Sequence, residues 1–457
     1  MYDTIIIGAG MSGLAAGIRL AHFEQRVCIL ERHSTIGGLN SFYRLNGRNF
    51  DVGLHALTNY VPPGTKVGPL SRLLRALRIG WDQLPLCQQV GSAIAFPGVR
   101  LRFNNDFEFL LSEVHRAFPG EEDGLRRLAA ALAPYEEYGQ ARHSGSARAV
   151  LESHVREPLL REMLLCPLAF YGSPREHDPN FDEFSILFRS IFLEGFARPQ
   201  AGVRELLKLI VRKYKEVGGE LRLRCGVRRL IVSGDCVQEV ELDDGTRLAA
   251  RRVLSSAGLR ETFQLCEPQP KDLPAPGALS FVEALSVVDR EPAELGLGES
   301  IVFFNDAPQF EYRRPQDLVD VRSGVICVPN NFQHEKRLAD GMVRISCLAN
   351  YDGWNALAGP DYGVAKDRWY ARMVASAERF VPPFRQAVVA RDMFTPLTIR
   401  RFTGHDQGAV YGCGQKRHDG TTHLRNLFVC GNDQGLVGIV GTLLSGITVA
   451  TNHLLQR

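Results

Sequence analysis

Tyr2-Asp3-Thr4-Ile5-Ile6-Ile7-Gly8-Ala9-Gly10-Met11-Ser12-Gly13 is an apolar run that ends in glycines spaced Gly-x-Gly-x-x-Gly. Such a run predicts a strand, a tight turn at Gly8, bare backbone at Gly10 and a helix whose Gly13 packs close on the strand. A pyrophosphate can lie against Gly10, and the unpaired N–H groups of the helix that begins near Met11 and Ser12 face it with positive charge. Arg26-Val27-Cys28-Ile29-Leu30 reads as a second strand that ends on Glu31, eighteen residues past Gly13. A carboxylate there accepts both hydroxyls of an adenosine ribose and repels a 2′-phosphate. The glycine pattern alone is weak. Strand, turn, helix, strand and terminal acid together point to a bound adenine dinucleotide.

The chain continues Arg32-His33-Ser34-Thr35-Ile36-Gly37-Gly38-Leu39-Asn40-Ser41. Gly37-Gly38 offers a second stretch where backbone can lie against a ligand without a Cβ in the way. A nicotinamide cofactor does not need that stretch. A flavin does, because its ribityl chain and ring run on past the pyrophosphate. Phe50-Asp51-Val52-Gly53-Leu54-His55 follows. Near the other end, Leu424-Arg425-Asn426-Leu427-Phe428-Val429-Cys430-Gly431-Asn432-Asp433 predicts a strand that ends in a glycine and a polar pair. It leads into Gly435–Gly446, a small-residue turn and helix.

On these segments the sequence resembles the phytoene desaturase, carotenoid isomerase and retinol saturase branch of the FAD-dependent amine oxidase superfamily. The resemblance spans nearly the whole chain, although only the flavin-binding stretches are specific. It implies FAD, held at the phosphates by Gly8, Gly10, Met11, Ser12 and Gly13, and at the ribose by Glu31 and Arg32. Gly37, Gly38, Leu39, Asn40 and His55 then follow the ribityl chain toward the ring, and the backbone of Val227 meets the adenine. Gly431, Asn432, Asp433, Gly438 and Ile439 complete the set from the C-terminal side. Two departures stand out: Asn432 where the family has Asp, and Val440 where it often has Pro. The first leaves open whether Asn432 or Asp433 meets the ribityl chain. The helix that follows still turns its positive end toward a reduced, anionic flavin.

With its phosphate turn at the start and its last helix at the end, the FAD-binding domain must be discontinuous. The fold class expected is α/β: a Rossmann-type FAD domain over residues 1–64, 201–270 and 396–457, and a mixed sheet-plus-helix substrate domain over 65–200 and 271–395. Gly202–Val211 predicts an amphipathic helix stopped by Gly218-Gly219. The alternation in Glu220–Arg224, Gly226–Val232 and Val237–Leu242 predicts a β-meander, turned by Asp243-Asp244-Gly245-Thr246. Val253–Gly258 returns to a buried strand. Leu70, Leu73, Leu74 and Leu77 share one helical face with Arg72, Arg75 and Arg78 between them. That helix either packs on its own protein or lies on an anionic bilayer. Phe184, Phe188, Phe192 and Phe196 belong to an aromatic-rich helix, to be read as core or as the wall of a lipid tunnel. Val282–Val288 and Met342–Leu348 predict strands that floor a pocket above the flavin.

Bulk properties exclude more than they assign. Hydrophobic residues make up 45% of the chain and charged residues 23%, as in ordinary globular proteins. A net charge of +3 implies no nucleic-acid partner. The 10 Cys show no Cys-x-x-Cys and no ligand spacing, so neither a metal site nor a dithiol centre is expected, and a cytoplasmic, reducing setting fits. The apolar N-terminus is consumed by the first strand, which argues against a secretory signal. Gln434–Asn452 carries no charge and approaches membrane-span length. Its glycines at 435, 438, 441 and 446 instead suit a helix packed tightly against a cofactor. Contact with the inner face of a membrane is left to the Leu70 helix.

FAD accepts a hydride at N5, so such a protein needs chiefly to place a C–H bond near that atom and exclude water. No second dinucleotide turn appears, so electrons leave to oxygen, a quinone-type acceptor or back to the substrate. His55 is the one titrating residue assigned a catalytic role, holding or moving a proton near neutral pH; a histidine bonded inside the fold is the plainer reading. Thr395–Thr403 and Gly408–Gly412 should line the pocket beside the ring, with Arg400 or Arg401 at the cofactor or in solvent. The resemblance implies a desaturase of a long apolar isoprenoid, such as a carotenoid or squalene-derived lipid. A reduced-FAD isomerase or saturase uses the same residues. An amine oxidase wants a lysine near N5, and among 8 lysines none is obviously placed. A flavin-binding scaffold without turnover is the weakest option. The exact substrate and the oligomeric state are not legible.

Overall fold

The computed structural model describes residues 1–133 and 145–455. Its first layer is a five-stranded parallel sheet in the order Leu427–Val429, Ala250–Ser255, Tyr2–Ile7, Val27–Leu30, Glu220–Arg222. Successive strand residues point to opposite faces, and the two faces meet different partners. Ile6, Ile29, Leu254 and Phe428 pack against helices Met11–Ala21, Val203–Glu216 and Gly438–Val449. Ile5, Ile7, Cys28, Leu30, Val253 and Leu427 pack against a small sheet built on Val227–Ser233 and Cys236–Leu242. That small sheet keeps the expected hairpin and adds Cys266–Glu267, which pairs in parallel with Val227–Ser233. Glu220–Arg222 leaves the meander and pairs in parallel with Val27–Leu30 instead, because alternation marks a strand without naming its neighbour.

The first and last helices interlock. A Cβ on Gly446 would stand 2.0 Å from the Ser12 carbonyl oxygen and 3.1 Å from the Ala16 nitrogen, all backbone. Only glycine permits that approach, and it ties residues separated by almost the whole chain.

The second layer is a seven-stranded sheet in the order Val388–Phe394, Ser280–Val288, Gly341–Ala349, Ser323–Cys327, Ile301–Asn305, Ser92–Phe96, Val99–Phe103. All neighbours are antiparallel except Ile301–Asn305 with Ser92–Phe96. Trp369 and Met373 of helix Pro360–Ala377 cover one face. Helices from Phe107–Ala117 to Phe181–Phe188 cover the other.

Two amphipathic segments find their partners inside the protein. Leu70, Leu73, Leu74 and Leu77 are each at most 3% exposed and join the core beneath Gly438–Val449, so the apolar face of that helix is not offered to a bilayer. Phe184, Phe188, Phe192 and Phe196 are core as well. Phe188 meets Phe192 edge-on at 5.2 Å, and Phe192 meets Phe103 at 5.3 Å. None of the four lines the large cavity described below, so they are not the wall of a tunnel. Among the described residues no helix is long and apolar enough to cross a membrane.

Candidate functional site

One cavity of about 810 Å³ runs from the C-terminal ends of the parallel strands to the seven-stranded sheet. Every residue assigned to the cofactor from the sequence lines it, with the exception of Gly13. Gly13 sits beneath the turn, where a Cβ would lie 2.3 Å from the Gly8 carbonyl oxygen. Its part is helix packing.

The cradle is held by local bonds. Gly37 donates its N–H to Ala9 O at 2.9 Å and bridges to Gly10, which brings the two glycine turns together. Its φ of +106° and a would-be Cβ 2.5 Å from Asn40 O admit no side chain. Glu31 is 8% exposed and accepts from Ala9 N at 2.8 Å and His33 N at 2.9 Å. Each oxygen keeps a lone pair for a ribose hydroxyl. Helices Met11–Ala21 and Gly438–Val449 both begin at the cavity without a side-chain cap, leaving N–H groups for a ligand's oxygens. Asp433 is already engaged: its carboxylate accepts from Leu259 N at 2.6 Å and Cys413 N at 2.8 Å. Asn432 donates to Val410 O at 2.8 Å and lines the cavity beside Thr442. Its Oδ1 accepts from Thr442 Oγ1 at 3.3 Å, so both members of the polar pair are bonded within the protein and both line the cavity.

Beyond the cradle the cavity continues as a chamber walled by Phe170, Tyr171, Phe281, Val325, Val410 and Tyr411. Phe281 lies 6.1 Å from Phe170 and 5.7 Å from Tyr411, ring to ring. Against this apolar wall stands His55. Its Nε2 lies 3.0 Å from Ser346 Oγ and 3.4 Å from Glu283 Oε1. Glu283 faces Ser346 across two antiparallel strands, and Arg344, two residues along, shares that sheet face. Arg344 is fully buried and donates from Nε to Glu283 Oε1 at 2.6 Å. Burial pushes the Glu283 carboxyl up, but Arg344 and His55 outweigh it and hold the group below the usual carboxylate range. Burial drives the His55 pKa below its ordinary value; Glu283 opposes this, while Arg344 and Arg198 add to it. His55 is therefore neutral at neutral pH.

Sequence reasoning found His55 and missed Glu283, Arg344, Ser346 and Arg198. The signal was there for two of them, since Glu283 and Arg344 are charges inside otherwise apolar strands. The expected pocket segment does line the cavity through Thr398, Ile399, Phe402, Thr403, Val410 and Tyr411. Arg400 turns away to Tyr351, donating to its hydroxyl at 2.6 Å. One lysine does reach the cavity: Lys366, 3.7 Å from Asp392, which also accepts from the Tyr43 hydroxyl at 2.7 Å.

The sequence profile of the flavin-containing amine oxidoreductases matches residues 11–289. The chain belongs to that family. This amine oxidoreductase carries FAD, and the cradle fits it: uncapped helix ends, a ribose carboxylate and glycines where backbone must come close. It is 22% identical to the chloroplastic prolycopene isomerase of Arabidopsis thaliana over 90% of this chain and 74% of that one. It is 21% identical to the all-trans-retinol 13,14-reductase of Danio rerio over 98% and 85%. A phytoene desaturase of Cercospora nicotianae is 24% identical over 69% and 54%. Among solved structures, an oxidoreductase from Methanosarcina mazei shares the fold, with a TM-score of 0.69 at 16% identity over 98% of this chain and 100% of that one. The protein is an FAD-dependent oxidoreductase of the amine oxidase superfamily.

Proposed function

We propose that this oxidoreductase desaturates a long apolar isoprenoid, a carotenoid or squalene-derived lipid. The supporting observation is an aromatic and aliphatic chamber, continuous with the cradle, whose wall carries a buried neutral histidine. FAD supplies a two-electron hydride acceptor at N5, or a donor when reduced. The chain supplies the rest. Phe170, Phe281 and Tyr411 orient the hydrocarbon and exclude water. His55 takes the proton left when the neighbouring carbon gives up its hydrogen as hydride, so that one C=C bond forms for one hydride and one proton removed. The electrons then pass to oxygen or a quinone-type acceptor.

Run in reverse, the same groups add hydride and proton to a polyene, or add and withdraw them and so isomerise it. This second reading is favoured by coverage: the isomerase and the reductase align over 90% and 98% of this chain, the desaturase over 69%.

The test is anaerobic bleaching of the bound flavin by isoprenoid lipids in liposomes, with amines as the competing panel. Lipid bleaching with desaturated product is expected; bleaching by amines alone overturns the reading. Isomerised or hydrogenated product from pre-reduced protein, with no bleaching of oxidised protein, selects the second direction.

A further inference from the structure

Two buried arginines on different strands converge on one residue. Arg198 donates from Nη1 to the carbonyls of Leu54 at 2.8 Å and His55 at 3.0 Å. Arg344 donates from Nη1 to Leu54 O at 2.5 Å. The peptide oxygens on both sides of the His55 Cα are thus tied to guanidinium groups. Asp51 pairs with Arg198 and Glu283 with Arg344, so the four charges balance without the histidine.

The balance decides the state of the ring. Glu283 is held ionised by Arg344, and a carboxylate only accepts hydrogen bonds. The ring nitrogen that faces it must bring the proton, and that nitrogen is Nε2. Ser346 can accept from or donate to the same nitrogen and does not alter the outcome. We propose that Glu283, with Arg344 behind it, is the positioning pair that holds His55 in its Nε2–H tautomer and makes Nδ1 the basic atom of the chamber. This rests on the reading of His55 as the proton carrier. The other groups around the ring are Arg198, Asp51, Cys327, whose Sγ lies 3.7 Å from His55 O, and Tyr171, whose ring centre is 6.3 Å away. Burial pushes the Cys327 thiol up to about 11 and the Tyr171 phenol well above its usual value, so neither changes charge near neutral pH. A proton arriving on Nδ1 makes a cation beside two arginines, and among the described residues Glu283 is the carboxylate that faces it, with Oε1 3.4 Å from Nε2. The pair therefore sets both which nitrogen is basic and how tightly it holds a proton.

The experiment is nitrogen NMR of FAD-loaded protein labelled with ¹⁵N-histidine, with His55→Gln to assign the signal. The wild type should show one tautomer, protonated at Nε2, titrating below the ordinary histidine value of about 6.5. Glu283→Gln should mix the tautomers and lower the midpoint further, because it removes the charge that favours the cation. The double variant Glu283→Gln/Arg344→Met leaves no lone charge buried and should mix the tautomers in a folded, flavin-loaded protein. A wild-type ring protonated at Nδ1, or an unchanged single tautomer in the double variant, overturns the proposal. If the tautomers behave as stated but His55→Gln turns substrate over at the wild-type rate, the proton-carrier reading fails and the positioning pair stands.

Discussion

The two ends of the cavity are shaped by opposite means. At the nucleotide end the shape comes from side chains that are missing: Gly37 and Gly446 let backbone approach backbone, and Glu31 stands at a strand end with its carboxylate on backbone N–H groups. At the chamber end it comes from charges placed where strands are otherwise apolar. Glu283, Arg344 and Arg198 are each no more than 7% exposed. The first end tolerates no added volume, and the second tolerates no unbalanced charge.

Arg344→Met gives the sharpest contrast. It strands Glu283 in the interior and should cost about 3–5 kcal/mol in urea denaturation. Adding Glu283→Gln should return most of that loss, since a buried pair replaced as a pair is close to neutral. If the double variant is no more stable than the single, packing rather than charge governs the chamber. Gly446→Val asks the converse at the cradle. Its extra atoms meet the backbone of Ser12 and Ala16, should cost up to about 3 kcal/mol, and should yield protein poor in flavin absorbance. Full flavin content and an unchanged denaturation midpoint would show that the helix interlock does not hold the cradle.

Smaller effects refine the same contrast. Glu31→Ala removes the acceptor of two backbone N–H groups and of the ribose, and should weaken FAD by about 2 kcal/mol, ~30-fold, in a fluorescence titration of apoprotein. The smallest is a pH effect confined to the chamber. Folded His55 holds its proton less tightly than the unfolded chain does, so the stability it contributes is full above about 6.5 and is lost as pH falls toward its folded value. Glu283 has its own window, full above the ordinary carboxylate value of 4.5 and lost as pH falls through its depressed folded value. Denaturation midpoints of wild type and His55→Gln measured below pH 6.5 should converge; parallel curves would mean that the ring is not held neutral.

The same contrast explains what could be read in advance. The cradle is written in short-range spacing: Gly8 to Glu31, then Gly37-Gly38, each a local consequence of backbone that must lie against a ligand. The chamber depends on pairings the chain does not carry locally. Glu283 meets Arg344 61 residues away, and Asp51 meets Arg198 147 residues away. A charge inside an apolar strand announces that a partner exists, but strand register names it. The Leu70 helix admits two readings in the sequence, of which packing on its own protein holds, and Glu220–Arg222 pairs outside the meander, because amphipathicity and alternation describe one surface and are silent on what covers it.

The interlock of the first and last helices also has a consequence for synthesis. At about 5–20 residues per second, roughly 20 to 85 s separate the emergence of Gly13 from that of Gly438. Throughout that interval the phosphate turn has left the ribosome while the helix that seals it is still untranslated. Flavin capture is therefore a late step, and the early helix waits with its apolar side uncovered, a natural client for a chaperone.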